Sequence, residues 1–410
     1  MKIVHAADLH LDSPLRGLPA YEGAPVAEVR GATRRALVSL IDLCFEQEAS
    51  LLLLAGDLYD GDFKDYSTAL FLVEQLSRLA DLGCRVVWLR GNHDAQSQIT
   101  RHLRLPELSH ELSTNEPETK VLEQLGVAVH GQGYVTRDLR ENLALRYPQA
   151  HAGLFNIGLL HTALDGRQGH ALYAPCSASE LWARGYDYWA LGHVHAREVI
   201  EGAAPLVFPG NLQGRHVKET GPKGATVLTL ENGRLSALEH HSVDVVRWAE
   251  LEVDARAFVG FGDAVDAASR ALDDAKNGAD GRILACRIRF LGRTRAHAEL
   301  GARQEELLAE LRRSSIESGA YLERVQHKTE GELLLETLAA RGDALAGLFQ
   351  RTQQLLDDGE ALEALKSALL EPLGSLSTEL LREELADFRE LVEEAQQLLE
   401  GRLLEPEAAD

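Results

Sequence analysis

Cysteine is scarce in this chain of 410 residues: there are four, Cys44, Cys84, Cys176 and Cys286, and no two form a CxxC pair. That argues against a disulfide framework and against a cysteine-built zinc site, and it points to reduced core thiols in a cytoplasmic protein. Long apolar runs are missing as well. No stretch approaches the roughly 20 residues of a membrane helix, so no membrane partner is expected. The opening Met1-Lys-Ile-Val-His-Ala-Ala-Asp8 reaches an acid too early for a signal peptide. Positive charge is also in short supply. The formal net charge is −22, which argues against holding nucleic acid by the overall field. A phosphate-bearing partner would have to be met by local basic patches and metal ions. There is no internal repeat and no low-complexity tract. The rest is ordinary globular material, 45% hydrophobic and 26% charged. The length allows two or three domains at roughly 100–200 residues each.

The stretch Leu51-Leu-Leu-Leu-Ala-Gly-Asp57 is central. Four leucines stopped by a glycine and an acid read as a buried parallel strand. A carboxylate at such a strand end costs several kcal/mol unless it is paired or bound to metal, so Asp57 is placed to hold a divalent cation. Four other strand ends carry comparable residues. Lys2–Ala7 runs into Asp8-Leu9-His10, where extended backbone would put the carboxylate and the imidazole on one side. Arg85–Leu89 runs into Gly91-Asn92-His93-Asp94. There Asn92 suits metal coordination, His93 proton transfer, and Asp94 the holding of the His93 ring; an Asx turn accounts for the same residues. Phe155–Leu160 ends at His161, and Tyr186–Leu191 at Gly192-His193-Val194-His195, again two imidazoles on one side if extended.

Helical spacing is expected over Arg30–Gln47, Tyr66–Leu82 and Asp138–Tyr147, a further strand over Val127–His130, and a loop with one short helix over Ser97–Glu116. Ala225–Leu230 and Arg234–Glu239 bracket Asn232-Gly233, a hairpin signal. Arg215, His216, Lys218 and Lys223 form a small basic cluster near His193 and His195, suited to a phosphate backbone or to plain solvation. The expected domains are 1–243, 244–331 and 332–410. The second is a small α/β unit, with helices near Asp263–Ala275 and Ala296–Arg312 and strands at Ile283–Phe290 and Tyr321–Val325. Arg282, Arg287, Arg289, Arg293 and Arg295 should give it a basic edge. The third is acidic and leucine-rich. Leu362, Leu365 and Leu369 share one helical face, and Leu381, Leu385, Phe388 and Leu391 another, with Pro372 and Gly374 between them. Such faces pack on their own chain by default, or on a partner.

The order Asp8-x-His10, Gly56-Asp57-x-x-Asp60, Gly91-Asn92-His93-Asp94, His161, Gly192-His193-x-His195 resembles the calcineurin-like metallophosphoesterase superfamily. Asp8-Leu-His-Leu-Asp-Ser-Pro14 and Gly210-Asn211…Gly214-Arg215-His216 resemble its YhaO group of DNA repair exonucleases, relatives of the nuclease SbcD. The superfamily resemblance covers Met1 to about Glu239. It implies an α/β fold, a two-sheet sandwich, followed here by a small α/β capping domain and a C-terminal helical segment. It implies two divalent ions, Mn²⁺ by the SbcD likeness. Asp8, His10, Asp57 and His195 would hold one, and Asp57, Asn92, His161 and His193 the other. His93 would protonate the leaving oxygen, with Asp94 steadying its ring. Arg215, His216 and Lys218 would meet substrate. The implied activity is 3′→5′ exonuclease and single-strand endonuclease action on DNA. The implied partners are DNA, an SbcC-like coiled-coil ATPase docked on the C-terminal helices, and a second copy of the chain. The alternative is a phosphoesterase for a small or protein-borne phosphate, which the net charge favours. The proline usual after Gly-Asp in SbcD proteins is absent from Leu58-Tyr-Asp-Gly-Asp-Phe-Lys-Asp65.

Overall fold

Leu51–Leu54 forms a four-residue strand with every leucine fully buried. Side chains alternate across a strand, so the run serves two cores at once. Leu52 and Leu54 face one cluster with Ala36, Leu37, Leu40 and Ile41, and with Leu72, Leu76 and Leu79. Leu51 and Leu53 face a second cluster with Val127, Val129, Ile157 and Leu159. The first cluster lies under helices and the second between two sheets. A computed structural model describes this architecture for residues 1–18, 21–22, 25–60, 66–96, 105–165, 173–331, 344–370 and 388–403.

The described residues divide into two units: Met1–Ala249 with Gly281–Ala285, and Glu250–Asp280 with Cys286–Asp410. In the first, strands β1 (Lys2–Ala6), β2 (Leu51–Leu54), β3 (Arg85–Trp88) and β4 (Ser109–Glu111) run parallel, extended by β11 (Gly224–Glu231) and β12 (Arg234–Ser242) in the order β12-β11-β1-β2-β3-β4. The second sheet has the order β5-β6-β7-β8-β10-β9. Its parallel centre is β6 (Val127–Gly131), β7 (Phe155–His161), β8 (Tyr188–Gly192) and β10 (Leu206–Phe208). β5 (Glu118–Leu122) and β9 (Glu198–Ile200) pair antiparallel at its edges. The two sheets stack through the second cluster as an α/β sandwich. Leu160, Trp189, Leu191 and Phe208 on the outer face pack with Tyr147 and Leu181.

Helix α1 (Val26–Val29) is short, and α2 (Ala32–Glu46) and α3 (Tyr66–Leu82) lie where the apolar spacing predicts them. The Asn232-Gly233 turn joins β11 to β12 with positive φ at both residues, 52° and 73°. Asp138–Tyr147 departs from expectation. Among its residues only Leu143–Arg146 form a short 3₁₀ turn. Leu143, Ala144 and Tyr147 are buried against the second sheet, so packing rather than helical periodicity placed them there. In Ser97–Glu116, residues 97–104 lie outside the described set, and the rest supplies β4.

The second unit carries most of a three-stranded sheet of β13 (Val246–Asp254), β14 (Ile283–Thr294) and β15 (Ala320–Gly331). Helix α6 (Phe261–Asn277) packs with α8 (Gln304–Glu317). The single helix expected over Ala296–Arg312 is two, α7 (His297–Ala302) and α8, broken at Arg303, whose φ is −111°. Four arginines of the expected basic edge are met by acids. Arg287 is bidentate to Glu323 at 2.7 Å, Arg289 faces Glu250 and Glu252, and Arg293 meets Glu330. Arg282, in the first unit, pairs with Asp244. In the acidic C-terminal stretch, α9 (Ala344–Asp357), α10 (Gly359–Leu370) and α11 (Phe388–Leu403) are described. Leu362, Leu365 and Leu369 lie on α10, whereas Pro372, Gly374, Leu381 and Leu385 lie outside the described residues. Helix α11 packs on α7, and Glu393 pairs with Lys328 of β15 at 3.0 Å. No helix among the described residues is long and apolar enough to cross a membrane.

Candidate metal centre

Parallel strands deliver their C-terminal ends to one side of a sheet, and open α/β sheets use that edge for ligands. Here β1, β2 and β3 of one sheet and β7 and β8 of the other end in the residues of interest. Beyond Ala6 the backbone turns sharply. Asp8 and His10 have φ of 52° and 42°. Asp8 N–H donates to Gly56 O at 3.0 Å and His10 N–H to Asp57 O at 3.1 Å, tying this turn to the one after β2. The expectation of an extended Asp-x-His segment is therefore corrected: both residues are left-handed, and the turn aims them. The His193-x-His195 pair is not extended either, with φ of 98° at His193. The two rings go separate ways, His193 against His161 and His195 against His10, each with centroids 5.1 Å apart. Asp57 has φ of 53°. Strained conformations cost of order 1–3 kcal/mol each and persist where the surroundings over-determine them, commonly at functional sites.

The ligand-type atoms converge. Asp57 Oδ2 lies 3.4 Å from His161 Nε2 and 4.0 Å from His10 Nε2. Asp8 Oδ1 lies 3.8 Å from His195 Nε2, which is 3.2 Å from His10 Nε2. Asn92 Oδ1 lies 3.0 Å from His161 Nε2. Asp8–His10–His195, and Asp8–Asp57–His161, each gather three donors within 4.8 Å of one another.

The protonation pattern fits cations. His161 Nδ1 is 2.9 Å from Ala55 O, and His195 Nδ1 is 2.7 Å from Glu219 Oε1. Both of these oxygens can only accept, and Arg215 NH2, which can only donate, lies farther from His195 Nδ1, at 3.4 Å, so the ring protons belong on Nδ1 and the Nε2 lone pairs face inward. Burial drives the pKa of His10 and of His161 down to about 3, which keeps both rings neutral. Burial, and then the charge of Asp57, pushes Asp8 well above the usual carboxylate range. Neutral imidazole lone pairs among crowded buried carboxylates repel one another until a divalent ion is placed between them. Mixed oxygen and nitrogen donors suit Mn, Fe or Zn.

His93 stands at the rim, its side chain 26% exposed. Its expected partner is corrected. Asp94 is fully buried and faces the backbone, accepting from Leu58 N at 2.9 Å, Tyr59 N at 3.2 Å and Gly91 N at 3.0 Å. It fastens the turn after β2 to the turn after β3. The carboxylate beside His93 is Asp60, whose Oδ1 is 3.0 Å from His93 Nδ1, an ion-pair distance rather than an aligned hydrogen bond. Burial lowers the His93 pKa, but Asp60 and Asp57 outweigh it and raise it above the ordinary value. Asp60 also takes a hydrogen bond from Ser13 Oγ at 2.8 Å and faces His10 Nδ1 at 3.6 Å. Despite burial, these partners hold Asp60 far below the usual carboxylate range. Asp60 was visible in the sequence as part of Gly56-Asp57-x-x-Asp60; its partner was not, because that depends on how two loops meet.

The basic cluster separates into different environments. Arg215 NH1 is 3.7 Å from Asp60, and its NH2 is 3.6 Å from Glu219. Lys223 is buried and donates to His195 O at 2.8 Å, so it braces the centre from within. His216 is 37% exposed, 3.6 Å from Glu219, and Lys218 is exposed. Glu219, which nothing in the sequence singled out, touches Arg215, His216 and His195.

Residues 1–197 match the calcineurin-like phosphoesterase family, and residues 248–330 match the middle domain of metallophosphoesterase YhaO. The chain is 37% identical over 258 residues to a protein of Bacillus subtilis (strain 168) named uncharacterized metallophosphoesterase YhaO, covering 62% of this chain and 63% of that one. It is 28% identical over 231 residues to the DNA double-strand break repair protein Mre11 of Methanopyrus kandleri, covering 52% of this chain and 48% of that one. To the Mre11 of Aeropyrum pernix it is 27% identical over 271 residues, covering 62% and 63%. The chain thus spans less than two thirds of the length of each of these relatives. All the strand-end residues that converge at this centre fall within the first match, and nearly all of the three-stranded sheet falls within the other. On these grounds residues 1–197, which hold this centre, belong to the calcineurin-like phosphoesterase family, and the chain is similar to YhaO and more distantly to Mre11.

Proposed function

We propose that the chain hydrolyses phosphodiester bonds of DNA at a two-metal centre, as a 3′→5′ exonuclease with single-strand endonuclease activity in DNA end processing and repair. The observation that carries the chemistry is the meeting of ligand atoms from five strand ends around Asp57. The relatives named as DNA double-strand break repair proteins support the choice of DNA. Asp8, His10 and His195 are assigned to one ion and Asn92, His161 and His193 to the other. Asp57 would serve both, since its Oδ2 lies within 4.0 Å of the Nε2 atoms of His10 and of His161. Mn²⁺ is the proposed metal, on the likeness to SbcD. When bound, such a pair of ions neutralises phosphate oxygens and lowers the pKa of a water.

The chain's own residues do the rest. His93, held beside Asp60 and with its pKa raised, keeps a proton for the leaving sugar oxygen. Asp94 contributes by fixing the loop that presents Asn92 and His93. His216 and Lys218 are the proposed backbone contacts. Arg215 would reach substrate only by loosening its contacts with Asp60 and Glu219. Docking of an SbcC-like coiled-coil ATPase on the C-terminal helices, and pairing of two copies, are carried over from the resemblance. A second reading, hydrolysis of a small or protein-borne phosphate ester, is favoured by the net charge of −22.

End-labelled duplex DNA and a small aryl phosphodiester, each incubated with Mn²⁺ at low salt, separate the two. Release of nucleotides from 3′ ends is the expected result. Cleavage of the small ester with DNA left intact would replace the first reading with the second.

A further inference from the structure

The segment Gly210-Asn211…Gly214-Arg215-His216 carried part of the family resemblance, yet the proposed reaction gives Asn211 and its glycines nothing to do. In the structure this segment forms a frame around Glu219. Glu219 is 7% exposed. Its Oε2 accepts from Asn211 Nδ2 at 2.9 Å and from Arg215 N at 2.7 Å. Asn211 is itself fully buried, and its amide also donates to Gln213 O at 2.9 Å. With Oε2 held twice, the nearest partner of Oε1 is His195 Nδ1, at 2.7 Å. The two glycines permit this closeness. A Cβ on Gly210, where φ is 82°, would lie 2.9 Å from His195 O, and one on Gly214 would lie 2.7 Å from Glu219 O. Arg215 NH2 and His216 Nε2, each 3.6 Å from Oε1, help to offset the cost of burying the charge.

We infer that Glu219 is a positioning residue for the metal centre: it fixes the proton of His195 on Nδ1 and the ring in place, so that Nε2 is presented to an ion. Carboxylates behind ligating histidines set tautomer and orientation and strengthen the ligand, and their loss commonly costs about 10–100-fold in metal affinity or activity. Glu219 touches no reacting atom. Its effect passes through His195, whose Nε2 faces Asp8 and His10 on the far side of the ring. The geometry of the Gly210–Glu219 segment is thereby explained as a clamp on one imidazole. This inference rests on the two-metal reading above.

The test is a titration of the full chain with Mn²⁺ alone, followed by the loss of the free-ion paramagnetic resonance signal. The variants are Glu219→Gln, His195→Ala and the double variant. Glu219→Gln should weaken one of two sites by about 10–100-fold and leave the other, and excess Mn²⁺ should restore most of the hydrolysis of an aryl phosphodiester. In the His195→Ala background the same substitution should have no further effect on Mn²⁺ affinity, and this comparison holds even if Glu219→Gln lowers stability. Two sites of unchanged affinity in Glu219→Gln, or equal weakening with and without His195, would overturn the inference while leaving the two-metal reading intact. A wild-type chain that takes up no pair of ions would remove both.

Discussion

Which carboxylate serves His93 can be decided by coupling energies. The structure sets His93 Nδ1 3.0 Å from Asp60 Oδ1, with both side chains roughly three-quarters buried. Both oxygens of Asp94 are taken by backbone amides. A charged hydrogen-bonding pair is worth roughly 1.5–3 kcal/mol, and the imperfect alignment at Asp60 argues for the lower end. The expected coupling between Asp60 and His93 is therefore about 1–2 kcal/mol. Between Asp94 and His93 it should fall below about 0.5 kcal/mol, the usual scatter of independent sites. The assay is urea unfolding of the wild type, Asp60→Asn, Asp94→Asn and His93→Ala, together with the two double variants, in EDTA at pH 6. The pH matters. The folded-state pKa of His93 is raised, so the pair's contribution is fully present below the unfolded value of about 6.5 and fades as pH rises through the folded value. Repeating the cycle at pH 9 should shrink the Asp60–His93 coupling. A coupling above 1 kcal/mol for Asp94 with His93, together with none for Asp60, would refute the structural pairing.

Three further outcomes follow from the same geometry. His93→Ala should retain both Mn²⁺ ions and lose hydrolysis by roughly 10²–10⁴-fold; metal content and activity measured on one sample would expose a ligand role if both fall together. Leu53→Ala, in the core between the sheets, should cost about 2–5 kcal/mol in chemical denaturation, and a cost under 1 kcal/mol would contradict the packing. His5 is buried against Tyr188, its Nδ1 2.9 Å from the hydroxyl, and burial lowers its pKa to about 3. Its ring takes up a proton on unfolding below about pH 6.5, so stability should fall with pH down to that folded value, by about 2 kcal/mol between pH 6.5 and 5 from His5 alone. In His5→Asn that slope should be shallower by one proton, and an unchanged slope would show that His5 titrates normally.

Much of this was legible in the residues themselves. Four consecutive leucines running into Gly56-Asp57 read as a strand covered on both faces, because the run is short and stops at turn residues. The spacing of Ala36, Leu37, Leu40 and Ile41 marked a helix, Asn232-Gly233 marked a hairpin, and the order of acidic, amide and imidazole residues at successive strand ends pointed to a family. Each of these signals is local, written in the period or the chemistry of neighbours along the chain. What the sequence left undecided depends on how separate loops meet. The left-handed turns at Asp8, His10 and His193 are held by contacts between strand ends far apart in sequence, so alternation along an extended strand misjudged them. Asp94 stands next to His93 in the chain yet turns to the amides of Leu58, Tyr59 and Gly91, while Asp60 crosses from another loop to take its place. Glu219 reaches His195 from 24 residues away, and Arg287, Arg289 and Arg293 proved paired with acids only once β13 and β15 were laid beside β14. Partners of charged groups are chosen by distance in space and by the cost of burying charge, and both are set by the packing of the sheets.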